Sequence, residues 1–78
     1  MLMNNRRRNE LRKAEELLGQ VYQMIDTACD QEQDCLDNTP GNLYYSDRFQ
    51  DMENAVTNME DACTLIEETR GLIIEAMG

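Results

Sequence analysis

The chain contains one proline, Pro40, and this residue divides it into two halves that carry the same spacing of apolar residues. In the first half Leu11, Ala14, Leu18, Val21, Ile25, Ala28 and Cys35 follow one another at alternating steps of three and four. Glu32 alone breaks the register. Such a row is a heptad seam held over more than three repeats. No proline interrupts residues 1–39, and Gly19 is the one poor helix former among them. The spacing therefore predicts a helix over residues 5–37. In the second half Met52, Val56, Met59, Cys63, Ile66, Ile73 and Met77 repeat the steps, with Arg70 as the exception. Ala55, Ala62, Thr69 and Ala76 recur every seven residues beside that seam, where small side chains allow another helix close approach. Ser46 or Asp47 reads as the N-cap, with Gln50 completing a capping-box variant. A second helix is predicted over residues 47–76.

Between the two lies Asn38-Thr39-Pro40-Gly41-Asn42, a turn signal. Proline presets one central dihedral, and glycine is expected to supply a positive φ at the next. Two helices of similar length, roughly 45 Å each at 1.5 Å per residue, joined by a loop over residues 38–46, imply an antiparallel hairpin in a single all-α domain, residues 1–78. Folding at the loop centre puts residue i beside about 83−i. Leu11 then meets Leu72, Leu18 meets Leu65, Val21 meets Ala62 and Ala28 meets Ala55. The basic segment from Arg6 to Lys13 falls beside Glu67, Glu68 and Glu75. Exposed pairs of that kind contribute only ~0–1 kcal/mol each, so they bear on register more than on stability.

One hairpin leaves apolar residues over. Leu17 stands beside Leu18, Met24 beside Ile25, and Ile74 beside Ile73. Two helices cover only a narrow seam, so Leu17, Met24 and Ile74 are expected to point away from it. Packing two hairpins into a four-helix bundle would bury them. The expected assembly is a two-fold homodimer with those three residues in its interface. A chain this short also gains from a partner, because one core of this size rarely supplies more than roughly 3–5 kcal/mol.

Charge narrows the range of functions. The chain holds 16 acidic and 7 basic residues and no histidine. Five of the basic residues lie in the first 13 positions against Glu10, and the remainder of the chain sets fifteen acidic residues against Arg48 and Arg70. A surface so acidic argues against nucleic acid or an anionic membrane as direct partner. Arg6–Arg8 is then better read as complementing the acidic end of the second helix than as a nucleic-acid arm. No apolar run approaches the length of a membrane span or a signal peptide, so a cytoplasmic protein is expected. Cys29, Cys35 and Cys63 are too far apart on the hairpin to pair and are read as free thiols.

Asp30, Glu32 and Asp34 have the first spacings of a calcium loop. Cys35 stands where that loop needs glycine, and Gly41 where it needs a bidentate glutamate. A carboxylate-bridged metal pair in a bundle needs Glu-x-x-His motifs, which a chain without histidine lacks. No metal, cofactor or small-molecule substrate is expected, no catalytic residue stands out, and the chain is read as a non-enzyme. What remains is an acidic, loop-proximal surface of Asp26, Asp30, Asp34, Asp37, Asp47, Asp51 and Glu53, with Tyr44 and Tyr45 as an aromatic anchor. Such a surface suits a basic protein partner, or imitates nucleic-acid phosphates to block one. Tyr44 and Tyr45, with Leu43, are also placed to cap the open end of the core.

The stretch TPGNLYYSDRFQDMENAVTNMEDACTLIEE, from Thr39, resembles a group of short acidic helical proteins of phages, prophages and mobile elements. The resemblance rests on a Pro–x–Asn–Leu–x–x–Ser–x–Arg loop, here Pro40, Asn42, Leu43, Ser46 and Arg48, followed by a helix with Met, Ala and acidic residues at similar steps. It implies a phage or mobile-element accessory, a setting in which small acidic proteins inhibit host defence. The functional expectation is a protein that binds a basic host protein through its acidic face. The alternative is an oligomerisation module with no inhibitory role.

Overall fold

The computed structural model describes residues 3–43 and 46–78. It forms two long helices, α1 (Asn5–Asp37) and α2 (Asp47–Met77), with a 3₁₀ turn at Gly41–Leu43 between them. No strand occurs among the described residues. Neither helix is long and apolar enough to cross a membrane. The helices lie side by side and antiparallel in a body of 61 × 17 × 13 Å.

Both helices begin on a side-chain cap. Asn4 Oδ1 accepts the Arg7 amide at 2.9 Å, and Ser46 Oγ accepts the Phe49 amide at 3.1 Å. Each cap satisfies one of the donors that a helix start leaves free. The end of α1 is closed by Asn38, whose amide side chain donates to the Asp34 carbonyl at 2.8 Å, and by Thr39, whose hydroxyl donates to the Cys35 carbonyl at 2.8 Å. The bend itself differs from the expected turn. Gly41 has no positive φ; among the described residues only Gly78 does. The chain turns instead through the Leu43 amide donating to the Pro40 carbonyl at 2.9 Å and the Ser46 amide donating to the Leu43 carbonyl at 3.1 Å. The first is the bond of the 3₁₀ turn at Gly41–Leu43, which any residue can adopt.

The seam of α2 lies where its periodicity places it. Val56 and Cys63 are buried, and Met52, Met59, Ile66, Ile73 and Met77 are partly buried around them. The seam of α1 is a correction. Leu11, Leu18, Ile25 and Glu32 do face α2, but the companion row is Glu15, Tyr22, Cys29 and Leu36. Val21, Ala28 and Cys35 are exposed, and Ala14 is half-buried. Both rows have heptad spacing, and apolar count alone favours the wrong one. The partners on α2 decide. Glu15 meets Arg70, the Cys29 thiol donates to the Val56 carbonyl at 3.8 Å, and Leu36 fills more of the seam than an alanine could.

The same pairs correct the register. Glu15 with Arg70 and Cys29 with Val56 put residue i beside about 85−i, two residues from the expected alignment. Leu65 and Leu72, expected opposite Leu18 and Leu11, are exposed instead. The expected pairing of the basic N-terminal segment also fails. Among the described residues the ion pairs are Arg70 with Glu15 and Arg70 with Glu67, and none uses residues 6–13. A solvated arginine gains little from an exposed carboxylate while losing side-chain freedom. Arg8 alone turns inward, its Nη2 lying 3.9 Å from where a side chain on Gly78 would begin. A cation there suits the negative end of α2.

The hairpin is thinly buried. Among the described residues its buried apolar side chains are Cys29, Leu36, Val56 and Cys63, and none of them is completely enclosed. The radius of gyration is 17.8 Å, against about 11–12 Å for a compact domain of this length. The accessible surface is 6156 Å², against roughly 4,900 Å² for a globular monomer of this mass.

Candidate interaction surface

Helix geometry divides the hairpin into two broad sides. At 100° per residue, the position just before each inward Tyr22 or Cys29 lies on one flank of α1, and the position four after lies on the other. The same offsets from Val56 and Cys63 define the flanks of α2. In an antiparallel pair, equivalent flanks face the same way.

One side is uncharged along its central length. On α1 it carries Ala14, Leu17, Val21, Met24, Ala28 and Cys35, and on α2 Ala55, Asn58, Ala62, Leu65, Thr69, Leu72 and Ala76. Arg7, Glu10, Arg48 and Asp51 appear only at its ends. Large side chains stand out from it: Leu17 is 59% exposed, Met24 72%, Leu65 61% and Leu72 65%. Small residues form the strip between them.

The other side is acidic. A shallow groove there is lined by Tyr22, Asp26 and Cys29 from α1 and by Glu60, Cys63 and Glu67 from α2. Asp30 and Glu53 extend the row of carboxylates toward the loop. Glu68 also lines the groove, Asp34 and Asp61 lie on the outer edges of the helices, and Asp37 accepts a hydrogen bond from Gln33 Nε2 at 2.9 Å. Asp47 begins α2, and Asp51 falls on the opposite, uncharged side at its loop end. The expected acidic surface is therefore divided. Asp26, Asp30 and Glu53 share the groove side, Asp34, Asp37 and Asp47 flank it, and Asp51 does not belong to it. Tyr44 and Tyr45 lie outside the described residues.

Glu60 and Glu67 are the site residues that sequence reasoning missed. They sit outside the loop-proximal acidic cluster, and only the register of α2 on α1 brings them beside Asp26. The expected dimer residues also separate. Leu17 and Met24 lie on the uncharged side, but Ile74, four positions after the inward Arg70, lies on the acidic side.

The groove is closed at its terminal end by an ion triad. Arg70 Nε donates to Glu15 Oε1 at 2.8 Å, Nη2 lies 2.6 Å from the same oxygen, and Nη1 donates to Glu67 Oε1 at 2.9 Å. Those hydrogen bonds, Glu15 first, hold the guanidinium pKa above its ordinary value. Gly19 makes room for the triad, since a methyl group there would stand 3.2 Å from Arg70 Nη2. Burial, reinforced by Glu60 and Asp30, pushes the Cys29 thiol pKa up. Burial with Asp26 and Glu67 does the same to Cys63. Tyr22 is raised by burial, then by Asp26, Cys63 and Glu67. Thiols held protonated in a negative field are poor nucleophiles. Among the described residues no three Cys, Asp or Glu side chains converge to hold a metal ion. The chain matches no protein-family model, no curated protein and no solved structure.

Proposed function

We propose that this chain is a non-enzymatic protein-interaction protein of the cytoplasm, which assembles as a homodimeric four-helix bundle and offers its acidic side to a basic protein surface. The observation that carries the reading is the sorting of charge. Carboxylates from both helices line one broad side, around Asp26, Asp30, Glu53, Glu60 and Glu67, while the opposite side is uncharged along its central length and mostly apolar. A protein that needed only solubility would gain nothing from keeping one side free of charge. An apolar patch that large marks a protein contact. The acidic side supplies the complementary potential that steers a basic partner.

In keeping with the resemblance of its second half to phage and mobile-element proteins, the partner is a host nucleic-acid-binding protein of a defence system. The acidic row stands in for nucleic-acid phosphates and blocks the basic site. The test is capture from host lysate at low and moderate salt, with wild-type protein and with the double variant Glu60→Gln and Glu67→Gln. A basic partner retained at 50 mM salt, lost near 300 mM and weakened by the variant is expected. A bound partner indifferent to both salt and substitution would sink the acidic reading and leave an oligomerisation module.

A further inference from the structure

The uncharged side has a geometry of its own that goes further. The midpoint of α1 is residue 21 and that of α2 is residue 62, and both Val21 and Ala62 lie on this side. About Val21 the row is nearly symmetric: Ala14 and Ala28 stand seven residues away in either direction, with Leu17 and Met24 between. A row that reads much the same in both directions is self-complementary under a two-fold axis through its centre. The charges are not symmetric along the molecule. Residues 26–61, the loop half, hold ten acidic residues against Arg48, whereas the terminal half balances six acidic against six basic. The whole net charge of −9 therefore sits at the loop half.

We infer that the uncharged side is the surface on which a second copy of this chain stacks, end for end, with its two-fold axis crossing the hairpin between the levels of Val21 and Ala62, which the register sets about 3 Å apart along the helices. This rests on the self-association proposed above and specifies its surface and direction. Antiparallel stacking lays each acidic loop half over the neutral terminal half of the other copy. The centres of the two acidic halves are then roughly 30 Å apart along a 61 Å body, well beyond the Debye length of about 8 Å at physiological salt. Parallel stacking would superpose them. The area is sufficient as well. A broad side of 61 × 17 Å is on the order of 1,000 Å², above the ~800 Å² per partner of a stable interface. Covering Leu17, Met24, Leu65 and Leu72 would remove much of the surface by which this chain exceeds a globular monomer.

The axis also determines which helix meets which. End-for-end stacking places α1 over α1 and α2 over α2, so Val21 meets its own copy and so does Ala62. Parallel stacking places α1 over α2, so Val21 of one copy meets Ala62 of the other. Two variants separate the cases: Val21→Cys and Ala62→Cys, each in a Cys35→Ser background that leaves only buried native thiols. After mild diamide oxidation, each variant alone should form a covalent dimer on a non-reducing gel. Covalent dimers that appear only when the two are mixed would overturn the antiparallel arrangement. A dimeric mass by light scattering with no crosslink in any sample would overturn this surface. A monomeric mass at micromolar concentration would overturn self-association itself, while capture of a salt-sensitive basic partner by that monomer would leave the acidic reading standing. In an otherwise native chain, Met24→Glu with Leu65→Glu should weaken the dimer at least 100-fold. Both side chains are exposed in the single hairpin, so the change spares its internal packing.

Discussion

Glycine has two different meanings in these helices. Gly19 sits against the Arg70 guanidinium, where a methyl group would be 3.2 Å from Nη2, whereas Gly71 has nothing within 4 Å of that position. Alanine in an exposed helix interior is favoured over glycine by about 0.5–1 kcal/mol. Gly71→Ala should therefore raise the thermal midpoint by several degrees, since ~1 kcal/mol moves a domain of this size by about 4–8 °C. Gly19→Ala should raise it less, because Arg70 must withdraw by a few tenths of an ångström and loosen its hold on Glu15. Thermal circular dichroism on the two variants checks the order; equal gains would mean that the close approach at Gly19 has no energetic weight. The buried thiols act at the same scale. Cys29 and Cys63 ionise near 9.0 when unfolded and above that when folded, and Tyr22 likewise rises above 10.0. The folded chain then keeps protons that the unfolded chain has released, so stability is intact below pH 9 and falls as pH rises beyond it. Urea midpoints under reducing conditions should be lower at pH 10 than at pH 7.5. Cys63→Ala, which removes one titrating group, should flatten part of that slope.

At the scale of the helices, the polar residues in the seam set the alignment. Arg70 and Glu15 are two of the charged side chains that an apolar count discards, yet they meet across the hairpin and mark its register. Removing one leaves the other partly buried without its counter-charge, which costs more than exchanging both for apolar groups. Arg70→Leu alone should lower the thermal midpoint, and adding Glu15→Leu should restore it; a double variant no better than the single would mean that the pair does not act as a unit. Val56 makes the apolar counterpart of this argument. It is 5% exposed and central to the packing of Cys29 and Leu36. Val56→Ala should cost about 1–3 kcal/mol, a large share of what one small core supplies, read as a fall in denaturant midpoint. The two helices, their ends and their antiparallel hairpin were legible from periodicity, from Pro40 and from the Ser46 cap. The second seam was legible too, because Met52, Val56, Met59 and Cys63 have no competing row. The first was not, since Ala14, Val21 and Ala28 compete with Glu15, Tyr22 and Cys29 at the same spacing. Only contact with α2 separates those rows, and the same contact brings Glu60 and Glu67 beside Asp26.

The whole molecule is an elongated body whose charge is unevenly placed along its length. Ten acidic residues crowd the loop half of two adjacent helices with Arg48 as their sole counter-charge in sequence, and neither observed ion pair lies among them. Like charges held at helix separations repel, and the repulsion is relieved when the chain unfolds. Salt should therefore stabilise this hairpin, contrary to the behaviour of a fold held by surface ion pairs. Raising sodium chloride from 20 to 200 mM shortens the screening length from about 20 Å to about 7 Å. The thermal midpoint should rise over that range. The partly buried Glu15–Arg70 contact resists screening and should offset little of the gain. Removing charge at the loop half should act as salt does. Asp30→Asn with Glu53→Gln should raise the midpoint at low salt and have a smaller effect at high salt, because the repulsion it removes is already screened. The same pair of changes in the terminal half, Glu16→Gln with Glu68→Gln, should have little effect at either ionic strength, since six acidic side chains there are already balanced by six basic ones. Equal responses from the two halves would mean that the charge acts as a uniform net value. A difference between them would tie the repulsion to the end of the molecule where end-for-end stacking keeps the copies' acidic halves apart.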